Sequence, residues 1–246
     1  DALSAFKQHL NSLRNRVLCP KSDFRCTVNR VLDFPLETRV RLLQEACRGT
    51  EWEEPPTICA APHSNCATLH EISKYFALRK KQHKMFILAG SALLRRFALL
   101  LMDVPLTMIP SVLDGPSQFI GFLGGCAGDG KSRVIHALLY LAKNWGYPRA
   151  IKTCAYTGVA ATNVYGATLH STFNWSPKGI PQARSKITDQ QREAFKPVLM
   201  VILDEISQVA QHLVACLQIA LQKILGNVQL LGGLDFLFVG DWLQHL

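Results

Sequence analysis

The sequence contains no Cys-x-x-Cys pair, no internal repeat and no uninterrupted apolar run long enough to cross a bilayer. Its most apolar stretch, residues 85–102, is interrupted by Arg95-Arg96. Eight scattered cysteines in 246 residues do not make the framework of a small disulfide-rich protein. The N-terminus carries no secretory signal either. We therefore expect a reducing, intracellular setting and no membrane partner.

Acidic residues are fewer than basic ones, 18 against 27, which gives a formal charge of +9. This excess favours an anionic partner, most commonly nucleic acid, although a merely soluble basic protein has the same composition. With 48% hydrophobic residues the chain can bury a substantial core in one or two domains. Because it begins at Asp1 and not at a methionine, we expect a fragment of a longer protein.

Four soft side chains lie close together in the sequence and raise the question of a metal site. They are Cys59, His63, Cys66 and His70. Their spacing matches no common zinc finger, and the segment has no clear strand-turn-helix pattern. Ordinary thiols and imidazoles are therefore favoured over a zinc site.

The N-terminal part of the chain is predicted to be mainly helical. Apolar residues recur at helical spacing in residues 1–18, and a second helix fits residues 36–47. Residues 49–62 are acidic, proline-rich and without periodicity, which is typical of a linker. We therefore predict an N-terminal extension of unknown role, residues 1–70, and a second domain, residues 71–246. A long helix is expected from about residue 80 to 102, before Val104-Pro105.

From residue 119 onward, short apolar runs alternate with helical patterns. The runs cover residues 119–123, 150–156, 198–203 and 234–240, and the helical patterns cover residues 133–144 and 209–225. Continuous apolar strands separated by helices indicate an α/β fold, in which a parallel sheet carries helices on both faces. The hydrophilic residues 176–196 are interpreted as an insertion or loop on that framework.

A phosphate-binding loop is predicted between the first of these strands and the following helix. It consists of Gly125, Cys126, Ala127, Gly128, Asp129, Gly130, Lys131 and Ser132. Glycines let backbone N–H groups turn toward phosphate oxygens, and the helix N-terminus adds partial positive charge. Lys131 would reach the β- and γ-phosphates, and Ser132 would ligate Mg²⁺. A glycine-rich turn without a ligand is the alternative.

Asp204 and Glu205 follow the apolar run 198–203 directly. A carboxylate at the end of a buried strand can hold Mg²⁺, and a second one can polarise the attacking water. A GTPase would instead have Asp-x-x-Gly here and Asn-Lys-x-Asp later, and both are missing. ATP is therefore the expected nucleotide. Gln244, beyond the last strand, is well placed to sense the γ-phosphate.

Together these segments resemble the Pif-type superfamily 1 DNA helicases, especially the versions carried by Helitron transposons. The resemblance rests on "FALRKKQHKMF" (76–86), "GGCAGDGKS" (124–132), "AYTGVAA" (155–161), "GATLHSTF" (166–173), "LDEIS" (203–207) and "GDWLQ" (240–244), and it spans residues 76–246. It implies a RecA-like P-loop NTPase domain. It also implies ATP hydrolysis coupled to 5′-to-3′ movement on single-stranded DNA, in repair, recombination or telomere maintenance, and a nuclear location in a eukaryote.

The resemblance assigns a role to each matching position. Gln82 would read the adenine base, and Asp204 would serve Mg²⁺ while Glu205 activates water. Gln244 would couple the γ-phosphate to DNA. The residues that would line the track for single-stranded DNA are Thr157, Gly158, Thr168, His170 and Ser171.

Three departures from the family pattern stand out. Asp129 replaces a threonine and brings a carboxylate near the polyphosphate, and Tyr156 replaces a proline. The sequence ends at Leu246, where the family continues into a second RecA-like domain with arginines that complete the ATP site. We therefore expect this chain alone to bind ATP and DNA and hardly to hydrolyse ATP. Two alternatives remain: a non-catalytic, transposon-derived fragment, and another P-loop enzyme such as a small-molecule kinase.

Overall fold

The computed structural model describes residues 31–55, 61–62, 65–176 and 187–241. These residues form two compact units that interleave along the chain. The first contains the described residues up to Ser117 together with Arg133–Ala150, and the second contains Gln118–Ser132 and the described residues from Ile151 onward. The predicted domains, residues 1–70 and 71–246, stay a prediction. The helix predicted within residues 1–18 lies outside the described residues.

The first unit is helical. Its helices are α1 (Leu36–Ala46), α2 (Leu69–Tyr75), α3 (Lys80–Leu100) and all but the first two residues of α4 (Lys131–Asn144), with short 3-10 helices at Val31–Asp33, Leu106–Met108 and Ser111–Leu113. The helices predicted at residues 36–47 and 80–102 are confirmed as α1 and α3. The chain after α3 passes Pro105, whose ring cannot continue a helix.

The core of the first unit forms where α3 meets its neighbours. Phe86, Leu93 and Phe97 of α3 are fully buried. A Cβ atom on Gly90 would lie 2.7 Å from a methyl carbon of Leu69, so α3 and α2 approach closely at this glycine. The start of α2 is held by a capping box, in which the Thr68 hydroxyl accepts from the Glu71 N–H and the Glu71 carboxylate accepts from the Thr68 N–H.

Polar side chains inside this unit are used to satisfy backbone groups. Arg96 is only 4% exposed, and its guanidinium donates to the Ser117 carbonyl at 2.9 Å. The buried His83 ring lies between the Ser73 hydroxyl and the Thr50 carbonyl, 2.7 Å from each. The buried face of α3 therefore accommodates an arginine and a histidine because each side chain has hydrogen-bond partners.

Among the described helices, none is both long and apolar enough to cross a membrane.

The second unit is built on a parallel five-stranded sheet in the order β1-β5-β4-β2-β3. The strands are β1 (Ile120–Gly124), β2 (Ile151–Ala155), β3 (Ala167–Thr168), β4 (Met200–Asp204) and β5 (Asp235–Gly240). The helices are α5 (Gly158–Asn163), α6 (Leu169–Phe173), α7 (Asp189–Phe195) and α8 (Gln211–Leu225), with 3-10 helices at Ile206–Gln208 and Leu230–Gly233. This topology confirms the predicted parallel α/β fold.

The sheet and α8 share one hydrophobic cluster. Leu217 and Leu221 of α8 are buried with Leu203 of β4 and Phe236 of β5. Every residue of β4 is buried, as expected for a strand in the middle of a parallel sheet. The carboxyl end of this central strand is Asp204, which brings the predicted carboxylate pair to the edge of the packed core.

The interpretation of residues 176–196 as a hydrophilic insertion or loop is wrong for its last part. Residues 189–195 form α7, and Phe195 at its end is almost fully buried. The Thr188 hydroxyl caps α7 by accepting from the Gln191 N–H, and the Gln191 side chain accepts from the Thr188 N–H in return. A seven-residue helix with one apolar anchor is too short to produce a visible period in the sequence. Residues 177–186 lie outside the described part of the chain.

Candidate nucleotide-binding and nucleic-acid-binding site

The predicted phosphate loop connects β1 to α4, as the sequence pattern requires. Gly128 and Gly130 have φ angles of +88° and +73°, in the left-handed region that a side chain disfavours. These two glycines therefore have a conformational reason for their positions. They let the backbone reverse direction between the end of β1 and Lys131, the first residue of α4.

Lys131 is turned back onto the loop. Its ammonium group donates to the carbonyl of Gly125 at 2.7 Å and to that of Cys126 at 3.0 Å. An ammonium group held in this position can exchange carbonyl oxygens for the oxygens of a bound polyphosphate. The predicted role of Lys131 is therefore compatible with where the chain holds its charge.

Asp129 also folds into the loop. Its carboxylate accepts a hydrogen bond from the Cys126 N–H at 2.7 Å, and the Asp129 N–H donates to the Cys126 carbonyl at 3.2 Å. A Cβ atom at Gly125 would lie 2.8 Å from the same carboxylate oxygen. An acidic side chain thus already uses one of the N–H groups that the loop pattern assigns to phosphate.

The carboxylate pair follows β4. Asp204 is 7% exposed, and its carboxylate accepts from the Glu205 N–H at 2.9 Å. Burial raises the pKa of Asp204 above its ordinary value, and so does the negative charge of Glu205, while the Glu205 N–H and the positive charge of Lys131 lower it. A bound cation would relieve this unfavourable burial of charge.

Glu205 adopts a left-handed backbone conformation, with φ 55° and ψ 43°. A non-glycine residue in this region carries strain of about 1–3 kcal/mol, and such residues cluster at functional sites. The turn redirects the chain from the end of β4 into the following 3-10 helix. It places a half-buried carboxylate directly beside Asp204.

The strand register brings the predicted segments to the same edge of the sheet. Gly124, just before the loop, pairs with Gly240 of β5, and Asp204 pairs with Ala155 at the end of β2. The phosphate loop, the carboxylate pair and the segment after β2 therefore all start at carboxyl ends of parallel strands. This is the edge at which open α/β sheets bind their ligands.

The predicted DNA-contacting residues lie together at the β2–β3 end of the sheet. Ala155 pairs with Thr168, and the ring centroids of Tyr156 and His170 are 6.1 Å apart. The Thr157 hydroxyl accepts from the Ala160 N–H, and the Thr168 hydroxyl accepts from the Ser171 N–H. These threonines therefore also cap α5 and α6.

Two further predicted site residues, Gln82 and Gln244, do not belong to the described part of the second unit. Gln82 lies in the first unit, where it is buried and its side-chain oxygen accepts from the Arg79 N–H at 2.8 Å at the start of α3. That contact gives Gln82 a capping role, and its adenine-reading role stays a prediction. Gln244 lies outside the described residues.

Only two of the four candidate zinc ligands, Cys66 and His70, lie within the described residues. Cys59 and His63 lie outside the described residues. The His70 ring is 3.7 Å from the Glu53 carboxylate, and the Cys66 N–H donates to the Asn144 carbonyl. Among the residues that the structure describes, no three potential ligands are grouped around a possible metal position.

Two glycines with a positional role were missed in the sequence. A Cβ atom at Gly240 would lie 2.8 Å from a methyl carbon of Ile206, so β5 ends against the turn after Glu205. A Cβ atom at Gly166 would lie 2.5 Å from the Thr153 carbonyl oxygen, where the chain enters β3 beside β2. A glycine at the end of an apolar run, or just before a strand, is the available signal for such close approach.

Comparison with known proteins agrees with this arrangement. Residues 103–246, more than half of the chain, match the model of the PIF1-like helicase family. The chain is 30% identical over 141 residues to "ATP-dependent DNA helicase PIF1" of Candida albicans, and 32% identical over 127 residues to "ATP-dependent DNA helicase RRM3" of Saccharomyces cerevisiae. These matches cover 56% and 50% of this chain, and 15% and 18% of the relatives.

Among solved structures, a Bacteroides Pif1 helicase in complex with ADP-AlF3 and single-stranded DNA aligns at 25% identity with a TM-score of 0.46. That alignment covers 52% of this chain and 29% of the helicase. The chain spans less than a fifth of the length of the Candida albicans and Saccharomyces cerevisiae relatives. By the extent of the family match, the chain belongs to the PIF1-like helicase family.

Proposed function

We propose that the second unit binds Mg²⁺-ATP and single-stranded DNA as the ATP-binding part of an ATP-dependent DNA helicase. The observation that carries the proposal is the register pair between Asp204 and Ala155. It sets the carboxylate pair expected to serve ATP directly beside the segment expected to bind DNA. The names of the curated relatives support the same activity.

Nucleotide binding would use the ammonium group of Lys131, which already lies at the loop. Lys131 would leave the carbonyls of Gly125 and Cys126 for the β- and γ-phosphates, and the loop N–H groups would turn to phosphate oxygens. The Ser132 hydroxyl and the Asp204 carboxylate supply the oxygen ligands that Mg²⁺ prefers. The partly buried charge of Asp204 fits a cation site. When bound, Mg²⁺ would neutralise charge on the phosphates.

Glu205 is the group best suited to orient and deprotonate the attacking water. Its left-handed turn keeps the carboxylate next to Asp204, where a γ-phosphate held by Lys131 would be within reach. The family resemblance supports 5′-to-3′ movement on DNA. It also supports a second RecA-like domain that supplies the arginines for the transferring phosphoryl group.

One observation favours the alternative of a domain that binds without turnover. The Asp129 carboxylate occupies the Cys126 N–H inside the phosphate loop. A bound polyphosphate would have to displace or tolerate this negative charge. Lys131, Asp204 and Glu205 are nevertheless all retained, which favours the active helicase.

DNA binding would rely on close approach of the sugar-phosphate backbone to the turn after β2. Around Gly158 a Cβ atom would meet no heavy atom within 4 Å, and its backbone is outside the left-handed region. The free protein therefore has no structural need for glycine at this first position of α5. A contact with the DNA backbone would explain why no side chain stands there.

The test is to measure single-stranded DNA binding by fluorescence anisotropy for the protein, Gly158→Ala and Gly115→Ala. Gly115 is the matched control, because its Cβ would meet the nearest heavy atom at 3.9 Å and it lies in the first unit. Gly158→Ala should fold normally and bind DNA at least fivefold more weakly, about 1 kcal/mol. The control should bind like the unchanged protein.

The logarithm of the DNA-binding constant should also fall linearly with the logarithm of the salt concentration, because phosphate contacts release counterions. Nucleotide binding without any binding of single-stranded DNA would contradict the proposal and favour another P-loop enzyme. Equal DNA affinity of Gly158→Ala and the unchanged protein would contradict the close approach at this turn.

A further inference from the structure

Aromatic rings run in an unbroken series from the core of the second unit to its surface. The successive members are Phe195, Phe173, Trp175, His170 and Tyr156, with centroid distances of 5.4, 5.1, 6.2 and 6.1 Å. The first three are buried, whereas Tyr156 is 37% exposed. The series therefore ends in a ring that is supported from inside and open to solvent.

The contacts within the series restrict the Tyr156 side chain. Its ring meets the His170 ring at an interplanar angle of 61°, and the His170 ring meets that of Trp175 at 86°. Such edge-to-face pairs contribute about 0.5–1.5 kcal/mol each beyond the area they bury. A ring held in this way loses little conformational entropy when a planar ligand stacks on it.

Tyr156 also occupies a defined place in the site. It follows Ala155, which pairs with Asp204 on one side and with Thr168 on the other, and it directly precedes Thr157. A strand of nucleic acid whose backbone passes Gly158 would bring its bases within reach of this ring. Adjacent Cα atoms in the chain are about 3.8 Å apart, so Tyr156 and Gly158 are separated by at most about 7 Å of backbone.

We propose that Tyr156 is a stacking platform for a base of single-stranded DNA, a role that rests on the proposed function of the unit. Every base presents a π-face, so stacking tolerates any sequence, as a translocating protein requires. The small and hydroxyl-bearing residues at positions 157, 158 and 171 would hold the backbone while Tyr156 holds a base. The pairing of an aromatic platform with a backbone grip is the general mode of sequence-independent single-strand binding.

Binding of single-stranded DNA by the unchanged protein, Tyr156→Ala, Tyr156→Phe and Tyr165→Ala tests this role. Stacking on an aromatic side chain contributes about 1–3 kcal/mol per base, so Tyr156→Ala should weaken binding about 5- to 150-fold. Tyr156→Phe keeps the ring and should stay within about twofold of the unchanged protein. Tyr165 is 80% exposed and precedes β3 but does not belong to this aromatic series, so its replacement should have no effect.

An oligonucleotide made of abasic nucleotides separates the contribution of base stacking from that of backbone contacts. On this strand the unchanged protein and Tyr156→Ala should bind equally, because the stacking partner is gone. Melting temperatures of all variants check that they fold, and Mg²⁺-ATP affinity should be the same for Tyr156→Ala as for the unchanged protein.

Equal binding of normal DNA by Tyr156→Ala and the unchanged protein would overturn the inference, as would a loss that persists on the abasic strand. Loss of ATP affinity in Tyr156→Ala would also overturn it and assign the ring to the nucleotide's adenine. If the unchanged protein binds no single-stranded DNA at all, the proposed function itself fails, and this role fails with it.

Discussion

Asp129 illustrates how one residue can alter a phosphate loop without disrupting its fold. The carboxylate bonds to the Cys126 N–H and packs against Gly125, so it stabilises the loop in the absence of nucleotide. The same negative charge opposes an incoming polyphosphate. Two like charges 4 Å apart repel by about 4 kcal/mol at the effective dielectric constant near a protein surface.

Replacing this residue should therefore improve nucleotide binding. We expect Asp129→Thr and Asp129→Asn to tighten Mg²⁺-ATP binding by about tenfold, since much of the repulsion is screened. Isothermal titration calorimetry measures the change, with Asp114→Asn, at an exposed position of the first unit, as a control. Weaker binding in both Asp129 variants would mean that this carboxylate helps to hold Mg²⁺.

Glu205 shows a residue-scale feature that the sequence does not reveal. The pair Asp204-Glu205 predicts carboxylates at a strand end, yet it carries no sign of the left-handed turn at Glu205. Left-handed positions are usually marked by glycine or asparagine. Here tertiary packing of Gly240 against the following turn fixes a conformation that local preference opposes.

At the scale of elements, α7 is held by a small polar network. The Thr188 hydroxyl accepts from the Gln191 N–H, and the Gln191 side-chain oxygen accepts from the Thr188 N–H. The Gln191 amide nitrogen also donates to the carbonyl of Phe173 at 3.0 Å. Gln191 thus ties α7 to the end of α6.

This network predicts that replacing Thr188 and replacing Gln191 lower the free energy of unfolding by different amounts. Thr188→Ala should reduce the free energy of unfolding by about 1 kcal/mol, because it removes a cap. Gln191→Ala should reduce it by about 1–3 kcal/mol, because the Phe173 carbonyl loses its donor in a buried setting. Urea denaturation followed by fluorescence measures both, with the exposed Gln190→Ala as the control. Equal stability of all three variants would contradict the network.

Elements with strong periodic or continuous apolar patterns were predictable. Strands β1, β2, β4 and β5 and helices α1, α3, α4 and α8 all coincide with the segments predicted from their apolar runs. Five short helices and strands were not predicted: α2, β3, α5, α6 and α7, of two to seven residues each. Their positions depend on threonine caps and on close approach at Gly166, which act through contacts distant in the sequence.

At the scale of the molecule, the strand order determines which segments can act together. β1 lies at one edge of the sheet and β3 at the other, with β4 and β2 adjacent between them. The phosphate loop and the proposed DNA-binding segment are therefore separated laterally. The carboxylate pair after β4 lies between them, and Asp204 pairs with Ala155 at the start of the proposed DNA-binding segment. Sequence order alone could not show this adjacency, because β4 follows β2 by more than forty residues.

Lys131 is the residue through which the loop after β1 is proposed to bind Mg²⁺-ATP. Titration of the protein with a fluorescent ATP analogue and Mg²⁺ tests this role most directly, in parallel with Lys131→Ala and Lys143→Ala. Lys143 is the matched control, since it is exposed near the end of the same helix. Both variants lower the net charge equally, so the comparison isolates the position of the ammonium group.

Lys131→Ala should bind at least about 100-fold more weakly or below detection, because charge-assisted hydrogen bonds to the phosphates contribute about 1.5–3 kcal/mol each. Lys143→Ala should bind with the affinity of the unchanged protein. Unchanged affinity of Lys131→Ala, or equal losses in the two variants, would contradict the assignment of this loop as the nucleotide site.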